Sequence, residues 1–243
     1  MTDHLFLAEF DEGIAPGQRV VVTGAEAHHA TSVKRISVGE SVLLSNGEGL
    51  GVRGTVVEAT KRELMVEVGE VLSSEVAALR WGVVQALAKG DRSDLAVQMA
   101  TELGTRRIIA WQAARSVVRW QGERGAKALE KWRATAREAS KQSRRFFVPV
   151  LEAASTAQVI EAIRGAAVAL VLHEDAERHI AQVELPPEGE GLVIVGPEGG
   201  ISPEELDAFV DAGAQPVLIS DGVLRTSTAG AVALGQLEVL ARR

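Results

Sequence analysis

Two glycine-rich segments near the C-terminus contain the residues best suited to chemistry. They are residues 193–202, with the sequence VIVGPEGGIS, and residues 218–230, with the sequence LISDGVLRTSTAG. Each begins as a short apolar run typical of a strand and then passes into a helix that a Ser or Thr can cap. Glycines at the carboxyl end of a strand let backbone N–H and C=O groups approach a ligand closely. The pair of segments therefore predicts a small-molecule site built largely from backbone.

The glycine spacing argues against the commonest nucleotide-binding folds. Neither segment contains GxGxxG, the fingerprint of dinucleotide folds, or GxxxxGK[ST], the phosphate-binding loop. A site made mostly of backbone groups suits adenosine with a neutral or cationic tail better than a triphosphate.

Composition bounds the class of protein. The chain has 243 residues, of which 46% are apolar and 24% charged, as in ordinary globular proteins. It has no cysteine, which excludes disulfides, thiol catalysis and cysteine-ligated metal. No apolar stretch approaches the roughly 20 residues of a membrane span, and the start MTDH lacks a secretory signal. We therefore expect a cytoplasmic protein with no membrane contact.

A formal net charge of −7 hides a basic central region. Residues 1–88 contain 7 Lys and Arg against 12 Asp and Glu, and residues 146–243 contain 5 against 15. Residues 89–145, in contrast, contain 14 against 6. Because nucleic-acid binding depends on local phosphate contacts, this region is a candidate nucleic-acid surface.

Within the basic region, cations recur every four residues between 127 and 145. On a helix this spacing aligns them along one side, while Leu129, Trp132, Ala136 and Ala139 face the core. A solvated helix face remains the alternative, since charge runs are common on surfaces. The cations are Lys127, Lys131, Arg133, Arg137, Lys141, Arg144 and Arg145.

Hydrophobic patterns divide the chain in two. Residues 1–72 carry short alternating apolar runs between glycine-rich or charged turns, which is typical of a small β-barrel. From Trp81 onward, apolar strands alternate with helical segments, which predicts a parallel sheet covered by helices. Strands are expected at 81–87, 107–111, 168–173, 192–195 and 216–219, and helices at 91–103, 123–142 and from about 226. The best boundary lies at Ser73-Ser74-Glu75.

The motifs together resemble the RsmE family of ribosomal RNA small subunit methyltransferases. GPEGG at 196–200 and VLRTSTA at 223–229 are similar to its C-terminal signature. The resemblance continues through HH at 28–29, QALAKGD at 85–91, ATELG at 100–104 and RS at 115–116, with order and spacing kept. The chain departs from the family pattern at Ala88, Met99 and Ser227. It also departs at Ser220 and Gly222, and at these two positions the resemblance supports cofactor contacts of the backbone but not of the side chains.

The resemblance implies an α/β protein with two domains. Residues 1–72 are expected to form a PUA-like β-barrel that binds RNA. Residues 73–243 are expected to form a SPOUT methyltransferase domain with a trefoil knot. Such enzymes transfer a methyl group from S-adenosylmethionine to uridine N3 of 16S rRNA, with the assembled small subunit as the expected substrate, and pair as homodimers. A SPOUT ribose 2′-O-methyltransferase and a non-catalytic RNA-binding module are the alternatives.

Site residues follow from this resemblance together with the chemistry of methyl transfer and the basic region. Arg225 is the candidate for stabilising negative charge on the uridine, with phosphate positioning or an ion pair with Glu198 as the alternatives. Glu198 is a candidate base that could equally cap the following helix. Cofactor-binding residues are expected to be Leu172, His173, Gly196, Pro197, Gly199, Gly200, Ile219, Ser220, Val223, Leu224 and Thr226. RNA-binding residues are expected to be Arg35, Lys89, Arg92, Arg137, Lys141 and Arg145.

Two further expectations come from the residues themselves. His28 and His29 are adjacent and lack nearby acidic ligands, so we expect no metal site. The last helix, expected from about Thr228 to Leu240, is apolar over more than one face. This width favours burial against a second subunit, with burial inside the same domain as the alternative.

Overall fold

The computed structural model describes residues 3–74 and 77–242, which form two compact units. The first contains residues 3–74 and 137–148, and the second contains residues 77–136 and 149–242. Residues 137–148 thus pack with the first unit, whereas the sequence placed them in the second domain. Glu75 of the expected boundary lies outside the described residues.

A five-stranded sheet with the order β1-β3-β4-β5-β2 forms the first unit. Only the β1–β3 pair is parallel. Alternation explains these strands: in β2, for example, Val20 and Val22 are buried while Val21 is exposed. The strands are β1 His4–Leu7, β2 Arg19–Thr23, β3 Ser41–Ser45, β4 Leu50–Ala59 and β5 Glu63–Ser73.

Residues 146–148, from far along the chain, pair with the turn between β3 and β4, where Phe147 forms an isolated bridge with Glu48. The C=O of Phe146 accepts hydrogen bonds from the Gly49 N–H at 2.8 Å and the Ser45 hydroxyl at 2.8 Å. The Phe146 ring covers Gly51, where a Cβ would come within 2.7 Å of the ring. Val148 N–H donates to the C=O of Gly47 at 2.8 Å. The first unit therefore depends on both parts of the chain.

A short helix, α1 Gly24–His28, continues into a π turn, His29–Val33. Glu26 of α1 forms an ion pair with Lys141, whose Nζ lies 2.8 Å from Oε1 of Glu26 and 2.6 Å from Oε1 of Glu138. The Lys141 side chain is only 3% exposed. Removing one partner of such a buried pair leaves an uncompensated charge, at a cost of about 3–5 kcal/mol.

The second unit contains a six-stranded parallel sheet with the order β11-β9-β10-β6-β7-β8. Its strands are β6 Leu79–Ala86, β7 Arg107–Trp111, β8 Val150–Ala154, β9 Val168–Leu172, β10 Gly189–Val195 and β11 Gln215–Val217. Its helices are α2 Arg92–Glu102, α3 Gly122–Gln142, α4 Thr156–Gly165, α5 Pro203–Asp211 and α6 Thr226–Leu240. Helix α3 begins in the second unit and its last turns belong to the first.

Two apolar clusters cover this sheet. Helices α2, α3 and α6 contribute to one, through residues such as Val97, Trp132 and Leu237. Helices α4 and α5 contribute to the other, where Phe209 packs edge-on to Trp111 with ring centroids 5.2 Å apart. Burial on both faces explains why the strands are continuous apolar runs. No helix in the described part of the chain is long and apolar enough to cross a membrane.

The predicted pattern of parallel strands and helices is confirmed, with differences at β8 and α4. Strand β8 was not predicted, because Val150–Ala154 is a short run with a charge in the middle. Helix α4 was not predicted either. The predicted burial of Trp132, Ala136 and Ala139 on α3 is also confirmed. The trefoil knot stays a prediction.

Helix α6 is broadly apolar, as expected, but most of this surface is covered within its own unit. It packs against α2, β6 and β10, and Ala233, Leu234 and Leu237 are buried. Val232 and Val239 remain exposed, the latter by 60%. Intradomain burial therefore explains most of the pattern.

Candidate active site

A cleft of about 940 Å³ opens in the second unit where the segments after β9 and β10 meet the start of α6. It lies at the carboxyl ends of parallel strands, the usual ligand site of such sheets. All the predicted cofactor residues line it except Ile219 and Ser220, which border an adjoining hollow of about 80 Å³ together with Leu172, His173, Val223 and Leu224.

The segment after β10 is held in one shape by its glycines and by the cap of α5. Gly200 has φ of +73°, a conformation that favours glycine, and its N–H donates to the C=O of Pro197 at 2.9 Å. Ser202 caps α5: its hydroxyl accepts from the Glu205 N–H at 3.2 Å. Ser202 and Glu205 form a capping box, with Pro203 at the first helical position, so the expectation that a Ser caps this helix is confirmed.

Thr226 links the start of α6 to the ends of two strands. Its hydroxyl donates to the C=O of Gly196 at 2.7 Å and accepts from Nε2 of Gln85 at 3.0 Å. Thr226 and Gln85 are both buried. These bonds fix the backbone on which Arg225 sits, because Arg225 is the residue immediately before α6.

The loop after β9 and the loop before α6 also have internal order. Nδ1 of His173 accepts from the Asp175 N–H at 3.2 Å, and the His173 N–H donates to the C=O of Val217 at 3.2 Å. The C=O of Ile219 accepts from Nε2 of Gln236 at 3.0 Å, and the Ser220 hydroxyl accepts from the Gly222 N–H at 3.3 Å. Hydrogen bonds within the chain therefore hold part of each loop in place.

Glu198 connects the glycine-rich segment to the loop between β6 and α2. Its Oε1 accepts from the Lys89 N–H at 3.1 Å and from Arg92 at 3.4 Å. Partial burial acts to raise the pKa of Glu198, but hydrogen bonds from the N–H groups of Lys89 and Glu198 itself, with help from Arg92, outweigh it and lower the pKa. Glu198 is therefore ionised at neutral pH, and its ion-pair partner is Arg92.

Arg225 is exposed at the mouth of the cleft. Among residues 3–74 and 77–242, its guanidinium has no ion-pair or hydrogen-bond partner, including Glu198. Its charge is thus available to a ligand.

The sequence analysis did not assign three residues to the site, although two of them, Gln85 and Arg115, stand in motifs that carry the family resemblance. Gln85 is a polar residue inside an apolar strand, a signal that could have been read as a buried hydrogen-bond donor. Arg115 borders the cleft and donates to the C=O groups of Gly199 and Ile201 at 3.4 and 3.5 Å. Buried Glu205 accepts from the Ala114 N–H at 2.8 Å, a contact that sequence spacing does not reveal.

The predicted RNA-binding residues fall in both units. Lys89 and Arg92 line a second cleft, of about 670 Å³, beside the start of α2. Arg35 and Arg137 are exposed in the first unit, and Arg145 is partly buried there. The expectation for Lys141 needs correction: its buried ammonium is paired with Glu26 and Glu138 and does not face an external phosphate.

Comparison with known proteins defines the class. The RNA methyltransferase domain matches residues 76–238, and the RNA methyltransferase PUA domain matches residues 22–69. The fold and the cleft are thus those of an RNA methyltransferase with a PUA domain.

Individual relatives narrow this class. Ribosomal RNA small subunit methyltransferase E of Mycobacterium bovis is 44% identical over 233 residues, which cover 93% of this chain and 88% of the relative. The Bacillus subtilis protein of the same name is 29% identical, with coverage of 89% and 88%. The crystal structure of that enzyme from Neisseria gonorrhoeae, bound to S-adenosyl methionine, has a TM-score of 0.85, 25% identity and 98% coverage of both chains.

The chain therefore belongs to the ribosomal RNA small subunit methyltransferase E family, as the resemblance predicted. The predicted enzyme class and the PUA-plus-α/β fold are confirmed as well. The roles of individual site residues stay predictions.

We predict that Thr226→Val weakens S-adenosylmethionine binding. Valine keeps the shape but removes the hydroxyl, so the Gly196 C=O and Gln85 Nε2 each lose a buried partner, at about 1–3 kcal/mol. Calorimetric titration should show a raised Kd, and thermal unfolding a lower Tm.

Two variants control this experiment. Thr226→Ser retains the hydroxyl and should bind nearly as wild type. Thr135→Val removes an exposed hydroxyl that bonds only to the C=O of Lys131 on α3, and it should leave Kd unchanged. Unchanged binding in Thr226→Val would show that the hydroxyl does not organise the cleft.

Proposed function

We propose that this protein transfers the methyl group of S-adenosylmethionine to uridine N3 of 16S rRNA in the small ribosomal subunit. One observation carries the proposal: an unpaired arginine, Arg225, stands at the mouth of a backbone-lined cleft in a chain of the small subunit methyltransferase E family. The Neisseria relative with S-adenosyl methionine bound supports the choice of cofactor.

The lining of the cleft suits this cofactor. Glu174, Asp175, Glu198 and Asp207 supply carboxylates, and Arg92, Arg115 and Arg225 supply guanidinium groups. Such mixed charge matches a ligand with an amino group, a carboxylate and a sulfonium. The glycines at 196, 199 and 200 expose backbone groups to the remaining, adenosine part. The volume of about 940 Å³ is within the range of small-molecule sites, roughly 300–1,000 Å³.

Arg225 has the central catalytic role in this proposal. The bound cofactor would supply an electrophilic methyl group and leave as S-adenosylhomocysteine, so the protein must orient the uridine and stabilise it as the imide proton passes to solvent water at the mouth of the cleft. Negative charge then grows on O2 and O4 of the base. A guanidinium fixed beside these oxygens stabilises that charge in the transition state. The Thr226 hydroxyl maintains the backbone position of Arg225.

Glu198 is assigned a positioning role. Its lowered pKa makes it a poorer proton acceptor than an ordinary glutamate. Its bonds to Lys89 and Arg92 instead join the glycine-rich segment to the start of α2. The same contacts hold the Lys89 backbone and the Arg92 guanidinium, which belong to two expected RNA-binding residues, beside the glycine-rich segment.

The assembled small subunit in the cytoplasm is the proposed setting. Lys89, Arg92, Arg35, Arg137 and Arg145 are the proposed RNA-binding residues that remain after the correction at Lys141. The PUA match over residues 22–69 supports RNA binding by the first unit.

We predict that Gly200→Val abolishes cofactor binding. Gly200 lines the cleft, and the nearest atom to an added Cβ is Nη1 of Arg115 at 3.9 Å, so the branched side chain would occupy ligand space. Calorimetric titration with S-adenosylmethionine measures the effect.

Gly213→Val is the matched control for backbone strain. Gly213 also has a positive φ, +105°, but it lies outside the cleft and has open space around it. This variant should lose stability and yet bind the cofactor. If both variants lost cofactor binding equally, backbone strain alone would explain the loss in Gly200→Val.

Mass analysis of small-subunit rRNA tests the reaction itself. Cells lacking this gene should lose one N3-methyluridine, wild-type protein should restore it, and Arg225→Ala should restore little of it while still binding the cofactor. Loss of a ribose methyl instead would indicate a 2′-O-methyltransferase. An unchanged rRNA would indicate a non-catalytic RNA-binding module.

We also propose a homodimer, which the resemblance implies. Val232 and Val239 of α6 are the apolar residues left exposed for such an interface. Light scattering at low micromolar concentration should give twice the chain mass of 25.8 kDa. Val239→Glu should shift the mass toward the monomer, whereas Val150→Glu, at an exposed valine of β8, should not. A wild-type monomer that methylates small subunits would contradict the dimer.

A further inference from the structure

Two arginines of the first unit have a backbone conformation that normally belongs to glycine. The φ angle is 57° at Arg35 and 55° at Arg144. Every other residue with a positive φ in 3–74 and 77–242 is a glycine. An L side chain is disfavoured there because its Cβ crowds the following carbonyl oxygen.

Arg144 ends helix α3. Its N–H donates to the C=O of Lys141 at 3.2 Å, and the N–H of Arg145 donates to the C=O of Ser140 at 2.9 Å. These two bonds make a Schellman motif, in which glycine is the usual residue at the position of Arg144.

Arg35 ends the π turn that follows α1 in the same way. The N–H of Lys34 donates to the C=O of His29 at 2.9 Å, and the N–H of Ile36 donates to the C=O of Ala30 at 3.0 Å. The closing bond spans one residue more than at Arg144, because the turn is a π turn. Glycine would satisfy the backbone equally well at both positions.

The two side chains make no compensating polar contact. Both are exposed, and neither guanidinium has a hydrogen bond or ion pair within the described ranges. Arg53 of the same unit is different, since it pairs with both Asp3 and Glu70. No hydrogen bond or ion pair of these two side chains within the described ranges therefore offsets the strain of the backbone at Arg35 and Arg144.

Local charge indicates an anionic partner. Arg35 follows Lys34 directly, and Arg144 ends a helix on which Arg137 is also exposed. The planar guanidinium matches the geometry of phosphate oxygens, and strained conformations concentrate at functional sites. RNA presents such phosphates along its whole backbone, whereas an acidic protein would present carboxylates only locally.

We infer that Arg35 and Arg144 are phosphate-binding residues for the substrate RNA, retained against the stability of the first unit. The inference rests on the proposed function, because it takes RNA as the substrate. It extends that function in two ways. Arg144 is assigned a contact with an RNA phosphate, and at both arginines the strained backbone lowers the stability of the fold while the side chain strengthens RNA binding.

The test compares stability and RNA affinity in the variants Arg35→Gly and Arg144→Gly. Relief of strain should raise Tm by roughly 2 °C in each. Loss of a phosphate contact should lower the slope of log affinity against log salt by about 1 per arginine. The probe is unmodified small-subunit rRNA made by transcription, titrated between about 50 and 200 mM salt.

Matched variants separate charge from backbone. Arg35→Lys and Arg144→Lys keep both the charge and the strain, so Tm and the salt slope should stay near wild type. Arg62→Gly removes an exposed arginine from the β4–β5 turn, where φ is not positive, and it should neither raise Tm nor weaken RNA binding.

Opposite movements of Tm and RNA affinity in the glycine variants would support the inference. A raised Tm with unchanged affinity and salt slope would overturn it, as would a lowered Tm. Weakened binding to purified small-subunit proteins, with RNA affinity unchanged, would also overturn it and identify a protein partner. Methylation of small subunits by wild-type protein, measured in parallel, tests the proposed function separately.

Discussion

The active-site geometry depends on the satisfaction of one buried amide, the side chain of Gln85. A buried amide without partners destabilises the fold by several kcal/mol in an apolar setting. The Gln85 amide donates to the C=O groups of Ala86 and Thr226 and, at the shortest distance, to the Thr226 hydroxyl, which donates in turn to the C=O of Gly196. This chain of bonds joins the end of β6, the end of β10 and the start of α6. Segments that are far apart in sequence are thereby held at one edge of the sheet.

Much of this site could be predicted because its signals are local. The glycines at 196, 199 and 200 follow an apolar strand directly, and Ser202 with Glu205 forms a cap across three residues. The family resemblance added the chemistry, since backbone-binding glycines alone do not distinguish a methyl donor from other adenosine ligands. Arg225 was found by its place between the glycine-rich loop and α6.

The remaining features depend on contacts between distant residues. Lys141 has the same four-residue spacing as Arg133 and Arg137, so the sequence grouped it with the exposed cations. Glu26, 115 positions away, removes it from the surface. Gln85 and Glu205 are comparable cases, because their partners lie 141 and 91 positions away. Spacing along one helix shows which side a residue faces and does not show what covers that side.

The discontinuity of the first unit has a consequence for synthesis on the ribosome. Chains emerge from the N-terminus, and domains usually fold in that order. The turn between β3 and β4 at Gly47 and Gly49, however, is hydrogen-bonded to the backbone of Phe146 and Val148, and the Phe146 ring covers Gly51. The nascent first sheet must therefore wait, with Gly51 and the β3–β4 turn uncovered, until residues 77–136 of the second unit have been translated. Expression of the first 72 residues alone would leave Gly51 and this turn permanently uncovered.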